Sequence, residues 1–396
     1  MLNRAQVNVL LLALCQALAA TAVTLLFTVG TLVGYSLATD KSLATFPVSL
    51  LHIAIMAATI PASLIMKRTG RQKGFIIGSL IGIIGAGLSV QSIFMNHFWL
   101  FCLGTFCIGS FSSFSWYYRF AAADASTEAF RPKAVSLVMS GGVIAAFLAP
   151  TLATWAKDWF TPYEFAGSIT VIVGLQLIAI ALLFNVHIPP AADTNQTTIG
   201  RPLTTIAQQP VFAVAVLGSM LGYGVMSFVM TSTPIAMQEL DYSFPDIAAV
   251  IRWHVLGMFA PSFITGALIA RFGSLNIIFT GIMLNLLCSA IALSGTTFPY
   301  FAIALLFLGI GWNFMFIGST TLLTQTYKPA EKAKAQATHD FCTFGFVAFC
   351  SLMSGQLLYH FNWNWINALA IALIGMALAA NLWLRYRQNQ HMTLLK

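Results

Sequence analysis

Twelve apolar segments, each about long enough to cross a lipid bilayer as a helix, make up most of this chain. A membrane-spanning helix needs roughly 20 consecutive apolar residues. Twelve such segments and their short connections account for nearly all 396 residues, and only 8% of the residues are charged. Soluble domains carry about 25% charged residues. The pattern therefore predicts an all-α membrane protein with twelve transmembrane helices. The predicted spans are 7–34, 43–66, 74–95, 98–120, 134–156, 163–187, 211–235, 246–270, 274–295, 299–326, 335–359 and 362–384.

One polar, proline-bounded segment divides the predicted spans into two sets of six. Residues 189–210 form this linker, between an N-terminal half (1–188) and a C-terminal half (211–396). The halves repeat short signals: Lys67–Arg71 follows the second span, and Arg271 ends the eighth about 200 positions later. Parallel six-helix repeats of this kind are typical of transporters whose substrate path runs between the halves near the middle of the membrane.

The distribution of basic residues predicts the orientation of the chain. With the amino terminus in the cytoplasm, Lys41 and Lys157 alone fall in outward loops, as the positive-inside rule requires. We therefore expect a multi-pass protein with both termini and the linker in the cytoplasm. The net charge of +8 follows from this topology and does not indicate a nucleic-acid partner. The basic residues predicted to face the cytoplasm are Arg4, Lys67, Arg68, Arg71, Lys73, Arg131, Lys133, Arg201, Arg271, Lys328, Lys332, Lys334, Arg385, Arg387 and Lys396.

Two short patterns in the second half carry possible soft metal ligands. Met226-x-x-x-Met230 lies in the seventh predicted span and His254-x-x-x-Met258 in the eighth. A four-residue spacing places each pair on one helix face, one turn apart. Thioether and imidazole ligands together suit Cu(I), whereas hard cations prefer oxygen. These residues predict a ladder of stations with two or three ligands each, through which copper passes as a transported substrate.

These features resemble known families at two levels. The two six-span halves and the Arg-Thr-Gly-Arg-Gln-Lys stretch after the second span resemble the major facilitator superfamily, although the usual Asp before the basic pair is absent. The four Met and His residues resemble the signature of the CcoA-like copper importers, the CalT branch of that superfamily. This resemblance implies copper import across the bacterial inner membrane, supplying biogenesis of a cuproenzyme, the cbb3-type cytochrome oxidase. Relatives without these residues resemble riboflavin transporters, so the alternative is an ion-coupled transporter of a small organic solute such as riboflavin.

The first half contains a similar pattern at nearly the repeat offset. His52-x-x-x-Met56 in the second span lies 202 positions before His254-x-x-x-Met258. Equivalent positions in the two halves are expected to face one central path. We therefore expect His52 to accept the ion after Met226 and His254 release it; a histidine hydrogen-bonded to neighbouring hydroxyl groups is the other interpretation.

Two further charged residues lie inside predicted spans, Arg119 in the fourth and Asp340 in the eleventh. Their similar depth predicts a gating ion pair at the cytoplasmic end, and proton coupling by Asp340 is the alternative. The sequence carries no glycine loop for phosphate, no nucleophile elbow and no CxxC motif, so we predict neither enzymatic activity nor a bound cofactor. The expected partners are the copper ion, the lipid bilayer and a cytoplasmic copper chaperone.

Overall fold

A computed structural model describes residues 4–126, 131–187 and 200–394, and all regular structure within these ranges is helical. Residues 189–199 of the predicted linker lie outside the described residues. Two short 3-10 helices, Lys41–Leu43 and Pro329–Glu331, connect longer ones. The α-helices are α1 (Arg4–Leu37), α2 (Phe46–Thr69), α3 (Arg71–Phe94), α4 (Phe98–Ser115), α5 (Tyr118–Asp124), α6 (Arg131–Met139), α7 (Gly141–Ala156), α8 (Ala166–Leu183), α9 (Leu203–Ala207), α10 (Pro210–Glu239), α11 (Phe244–Phe259), α12 (Ser262–Phe272), α13 (Ser274–Ser294), α14 (Phe298–Leu323), α15 (Lys332–His360) and α16 (Trp363–Leu394).

The number of membrane spans agrees with the sequence prediction. In the described part of the chain, eleven helical segments are long and apolar enough to cross a bilayer, and α11 with α12 makes a twelfth, bent by 40°. Three predicted spans, 98–120, 134–156 and 246–270, are not continuous helices but are interrupted between α4 and α5, α6 and α7, and α11 and α12. The last break falls at Pro261, whose ring removes a backbone donor and clashes with the preceding turn.

Within each half, glycines allow two neighbouring helices to approach closely: α3 and α4 in the first half, and α13 and α14 in the second. A Cβ atom added at Gly85 of α3 would lie 2.7 Å from the carbonyl oxygen of Gly104 in α4. The corresponding pair in the second half behaves alike, because a Cβ at Gly281 of α13 would lie 2.8 Å from the carbonyl oxygen of Gly311 in α14. Small residues at such crossings bring helix backbones into van der Waals contact within a membrane.

The two halves are joined at the end opposite the linker, which we call the distal end. The hydroxyl of Thr45 accepts the N–H of Gly355 at 3.2 Å and donates to the carbonyl oxygen of Leu352 at 3.3 Å. Gln356 donates to the backbone carbonyl of Ser42 at 3.2 Å. Arg252 of the second half also donates to the hydroxyl of Thr151 in the first half, at 3.3 Å. These hydrogen bonds join the two halves at the distal end.

An ion pair holds the described part of the linker against the second half. The guanidinium of Arg201 donates to both carboxylate oxygens of Glu331, at 2.9 and 2.7 Å, and Lys334 donates to the carbonyl oxygen of Arg201. The backbone N–H of Lys328 also donates to Glu331 at 2.9 Å. Hydrogen bonding from Arg201 lowers the pKa of Glu331 well below its usual range and raises the pKa of Arg201.

Candidate functional site

A cavity lies between the two halves and takes its wall from both. Its volume is about 820 Å³, including the part that opens to solvent. The wall consists of residues from α1, α2, α4, α6, α10, α11 and α14, with Trp116 from the turn after α4. A cavity shared by two six-helix halves is where transporters of this architecture bind their substrates. The lining residues are Gln16, Ala19, Ala20, Val23, Thr24, Phe27, His52, Ser112, Ser115, Trp116, Met139, Tyr223, Met226, Ser227, Met230, Val255, Met258, Phe259 and Trp312.

Four of the six predicted metal ligands lie in this wall. Met226 and Met230 reach it from α10, Met258 from α11 and His52 from α2. The Nδ1–H of His52 donates to the carbonyl oxygen of Val48, one turn earlier, at 3.1 Å. The structure therefore brings three thioether sulfurs and one imidazole to a common cavity. Their role as metal ligands stays a prediction.

The other two predicted ligands lie outside the wall. His254 is fully buried, and its Nδ1–H donates at 2.9 Å to the carbonyl oxygen of Leu305 on α14. The Nε2 atom of His254 is buried without a hydrogen-bond partner. Met56 is half-buried and lies beside α15, where a Cβ atom added at Gly345 would be 3.7 Å from its sulfur. Among the described residues, no group of three or more His, Cys, Asp or Glu side chains is placed to hold a metal ion.

Aromatic rings dominate the cavity, and the sequence prediction did not single them out. The ring of Tyr223 meets that of Trp312 edge-on, with centroids 5.2 Å apart, and Trp312 lies 6.3 Å from Phe259. Phe27 and Trp116 complete the set from the first half. Aromatic residues are common in this chain, which contains 32 Phe, 10 Tyr and 9 Trp. The sequence alone therefore does not indicate which of them meet at the cavity. Such a wall can stack against a flat ring system.

The polar atoms of the wall are uncharged, and some lack a partner. The indole N–H of Trp312 and the hydroxyl of Ser227 are buried and make no hydrogen bond in the described structure. None of the described lining residues is Asp, Glu, Lys or Arg. Because an unsatisfied buried donor costs about 1–3 kcal/mol, these groups favour a ligand that offers hydrogen-bond acceptors. The wall therefore suits a neutral solute with an aromatic face and polar edges.

Arg119 and Asp340 do not form an ion pair in this structure. Arg119 lies over the rings of Trp116 and Phe120, at 5.2 and 4.7 Å from their centroids, and its Nε atom is buried without a hydrogen-bond partner. The Asp340 carboxylate instead accepts from the Nδ1–H of His339 at 2.9 Å. A gating role for the two residues, and proton coupling by Asp340 as its alternative, stay predictions.

Similarity to known protein sequences covers nearly the whole chain. The profile of the Major Facilitator Superfamily matches residues 12–251 and 215–392. The riboflavin transporter RfnT of Brucella anthropi is 40% identical over 373 residues, which are 94% of this chain and 94% of that protein. The MFS-type transporter YddS of Bacillus subtilis is 24% identical over 375 residues, 90% of this chain and 86% of that one. None of these names refers to copper, so the copper-importer branch expected from the four Met and His residues is not supported by these relatives.

Solved structures show the same fold at low sequence identity. A mutant of the nucleoside transporter NupG superposes with a TM-score of 0.75 at 15% identity, covering 95% of this chain and 99% of that one. A mutant of the Escherichia coli fucose:proton symporter FucP gives 0.61 at 18% identity, covering 96% and 99%. Family, fold and cavity agree: the chain belongs to the Major Facilitator Superfamily and is a membrane transporter, not an enzyme.

Proposed function

We propose that this protein imports riboflavin, or a closely similar neutral heteroaromatic solute, through the central cavity. The observation that carries the proposal is the uncharged aromatic wall around Tyr223 and Trp312. The isoalloxazine ring of riboflavin is flat, uncharged at neutral pH and edged with carbonyl and ring-nitrogen acceptors. The unpartnered indole N–H of Trp312 matches such an acceptor, and the aromatic rings match its face.

The relationship to RfnT supports the same substrate class. At 40% identity over 94% of both chains, the two proteins share most of their length, and the cavity draws its lining from most of that length. Gln16, Thr24 and Ser112 in the wall add amide and hydroxyl groups suited to a polyol chain such as the ribityl group. We further propose that the protein resides in the bacterial inner membrane with both termini in the cytoplasm, as the basic residues indicate.

Growth of a riboflavin auxotroph tests this proposal. A bacterial strain that can neither make nor import riboflavin should grow at low external riboflavin when it carries this gene. A matched strain should carry the Tyr223→Ala variant, which removes the ring that meets Trp312. Failure of the wild-type protein to support growth, while it is present in the membrane at normal abundance, would contradict riboflavin import.

Copper is the second candidate, favoured by one observation. Met226, Met230 and Met258 line the same cavity, and the hydrogen bond from Nδ1 of His254 leaves its buried Nε2 as the basic nitrogen. A backbone carbonyl bound to one imidazole nitrogen commonly orients the other toward a metal. For this function, the partner we propose is a cytoplasmic copper chaperone. Binding by His254 also needs α11 to move, since the residue does not line the cavity in this state.

Substitution of methionine by leucine distinguishes riboflavin transport from copper transport. Met226→Leu and Met258→Leu remove a thioether ligand but nearly preserve side-chain volume, a kind of change that costs less than about 1.5 kcal/mol in a packed core. If the solute is riboflavin, the double variant should support growth of the auxotroph as well as the wild type does. If copper is the substrate, cellular copper should depend on the wild-type gene and fall to the deletion level in the double variant.

A further inference from the structure

We propose that a groove between α7 and α11 binds an anionic phospholipid from the leaflet at the distal end, with the lipid phosphate held by Arg252. The groove shares none of its described lining residues with the central cavity. Its empty volume is about 740 Å³, including the part that opens outward. Because the site lies outside the substrate cavity, the proposal does not depend on which solute the protein transports.

The two walls of the groove are single faces of two helices from opposite halves of the chain. On each helix the lining residues recur at spacings of three or four positions, which places them on one face. The groove therefore runs along the helices, in the direction that lipid chains take in a bilayer. The lining residues are Thr151, Thr154 and Trp155 of α7, and Pro245, Ala248, Ala249 and Arg252 of α11.

The α7 wall continues an exposed apolar face of that helix. Ile144, Phe147, Thr151 and Trp155 recur at spacings of three and four residues and so lie on one side. Ile144 and Phe147 are 49% and 51% exposed, although both side chains are large and apolar. Neither lines the central cavity, and both belong to a segment long and apolar enough to span the membrane. This face therefore provides a surface for lipid acyl chains.

The mouth of the groove lies at the level expected for lipid headgroups. Trp155 is one residue from the distal end of α7, and its ring meets that of Trp159 edge-on, with centroids 4.6 Å apart. Both indoles are exposed, and exposed tryptophans concentrate where the membrane meets water. Thr151 lies one helical turn, about 6 Å, deeper than Trp155. A lipid phosphate in the groove would therefore meet Thr151 and Arg252 just below the interface.

Arg252 brings an unmatched positive charge to this position. The described structure gives its guanidinium one hydrogen bond, to the Thr151 hydroxyl at 3.3 Å, and its Nε atom is buried without a partner. In the described ranges of the chain, no ion pair joins Arg252 to a carboxylate. A guanidinium has five N–H donors in a planar fork that fits two phosphate oxygens. An arginine inside a span normally has a partner, so its free donors indicate an anion.

The chemistry of the groove favours an anionic lipid over a zwitterionic one. Phosphatidylglycerol has a net charge of −1, which complements Arg252, and its glycerol hydroxyls can bond to Thr151 and Thr154. Phosphatidylethanolamine adds an ammonium group, and none of the described lining residues is a carboxylate that could receive it. Basic pockets between membrane helices recognise anionic headgroups in this way. A free phosphate would match the charge but would leave the apolar face with Ile144 and Phe147 uncovered.

A lipid in this groove would contact both halves of the protein at once. Thr151 belongs to the first half and Arg252 to the second, and the groove exists only while α7 and α11 lie side by side. A ligand stabilises the arrangement to which it binds. Bound phosphatidylglycerol should therefore raise the Tm of the purified protein and favour the arrangement in which the two halves meet at the distal end.

Native mass spectrometry of delipidated protein tests the site. Wild-type protein should bind dioleoyl phosphatidylglycerol about 5-fold more tightly than dioleoyl phosphatidylethanolamine, and Arg252→Gln should lose that difference. The matched control is Arg271→Gln, which removes an exposed arginine at the end of α12, outside the groove, and should keep the preference. A preference for phosphatidylglycerol in Arg252→Gln equal to that of the wild type would overturn the proposal.

A second variant blocks the groove without changing its charge. Ala249→Phe places a ring between the two walls and should abolish the rise in Tm that phosphatidylglycerol gives the wild type, while its Tm without lipid stays close to the wild-type value. An undiminished rise in this variant would contradict binding in the groove. Glycerol phosphate, the headgroup without acyl chains, should not raise the Tm of the wild type. A rise equal to that given by the whole lipid would show a site for a free anion and contradict a lipid site.

Discussion

The imidazole of His52 on α2 faces the phenol ring of Tyr223 on α10 edge-on, with ring centroids 6.4 Å apart. The two residues belong to opposite halves of the chain, and both line the central cavity. Tyr223 also contacts Trp312, Phe316 and Phe344, at 5.2, 5.5 and 5.7 Å between centroids. Tyr223 therefore connects the cavity wall of the second half to that of the first half.

Loss of the Tyr223 ring is expected to weaken solute binding more than loss of its hydroxyl. Stacking of a base on an aromatic ring is worth about 1–3 kcal/mol, so Tyr223→Ala should raise the KM for riboflavin uptake roughly 5-fold or more. Tyr223→Phe keeps the ring, and the hydroxyl makes no side-chain hydrogen bond that the described structure shows, so its KM should stay within about 2-fold of wild type. Equal KM values for all three proteins would mean that the ring does not contact the solute.

The indole N–H of Trp312 is expected to donate a hydrogen bond to the solute. Trp312→Phe keeps an aromatic ring but removes the donor, and a net hydrogen bond is worth about 0.5–1.5 kcal/mol. The KM for uptake should therefore rise roughly 2- to 10-fold with little change in protein abundance. Trp155→Phe is the matched control, because Trp155 is 65% exposed and does not line the central cavity. If the KM of Trp312→Phe equals that of the control, the indole N–H of Trp312 does not bind the solute.

The hydroxyl of Thr45 is expected to stabilise closure of the distal end. Thr45→Val preserves the shape of the side chain but deletes its bonds with Gly355 and Leu352. The population open at the distal end should increase, measured as a longer distance between spin labels at positions 40 and 359. Thr59→Val serves as control, since the Thr59 hydroxyl bonds only within its own helix. An unchanged distance distribution in Thr45→Val would show that these bonds do not hold the gate.

The Arg201–Glu331 pair is expected to make stability depend on pH. The pKa of Glu331 is lowered in the folded protein, so its contribution is fully present above the unfolded value of about 4.3 and is lost as pH falls through the folded value. Glu331→Gln should therefore lower the Tm at neutral pH, and the difference from wild type should shrink in strong acid. Glu164→Gln, an exposed acid 3.3 Å from Lys157, should change the Tm little at either pH. A Glu331→Gln Tm equal to wild type at neutral pH would contradict this role.

The fold was predictable from the sequence because each span is set by local composition. A run of about 20 apolar residues must form a helix in a bilayer, since no water satisfies its backbone groups there. The breaks within three spans were not predicted. Pro261 is visible in the sequence, but a proline inside a membrane helix is often tolerated, as Pro234 is within α10. Whether such a residue bends the helix depends on its neighbours in the packed bundle.

The site was less predictable than the fold. Helical periodicity indicates which residues share one face of a helix, but it does not indicate which other helix or cavity that face contacts. His254 and Met258 are one turn apart, yet Met258 lines the cavity while His254 bonds to Leu305 on α14. The same limit applies to His52 and Met56, of which His52 alone reaches the wall. The aromatic wall assembles residues from distant positions, and no local spacing relates Phe27 to Trp312. The short motifs therefore predicted sulfur ligands but did not indicate the aromatic rings around them.

Exchange of labelled riboflavin by purified protein in liposomes tests the central claim most directly. Wild-type protein and the Met226→Leu, Met258→Leu double variant should exchange labelled for unlabelled riboflavin at similar rates, because Leu nearly preserves the apolar volume of Met in the cavity wall and leaves the aromatic rings and hydrogen-bond donors in place. The same liposomes, given Cu(I) under reducing conditions, should take up no more copper than protein-free liposomes. Copper uptake by the wild type that disappears in the double variant, without riboflavin exchange by either protein, would contradict the account.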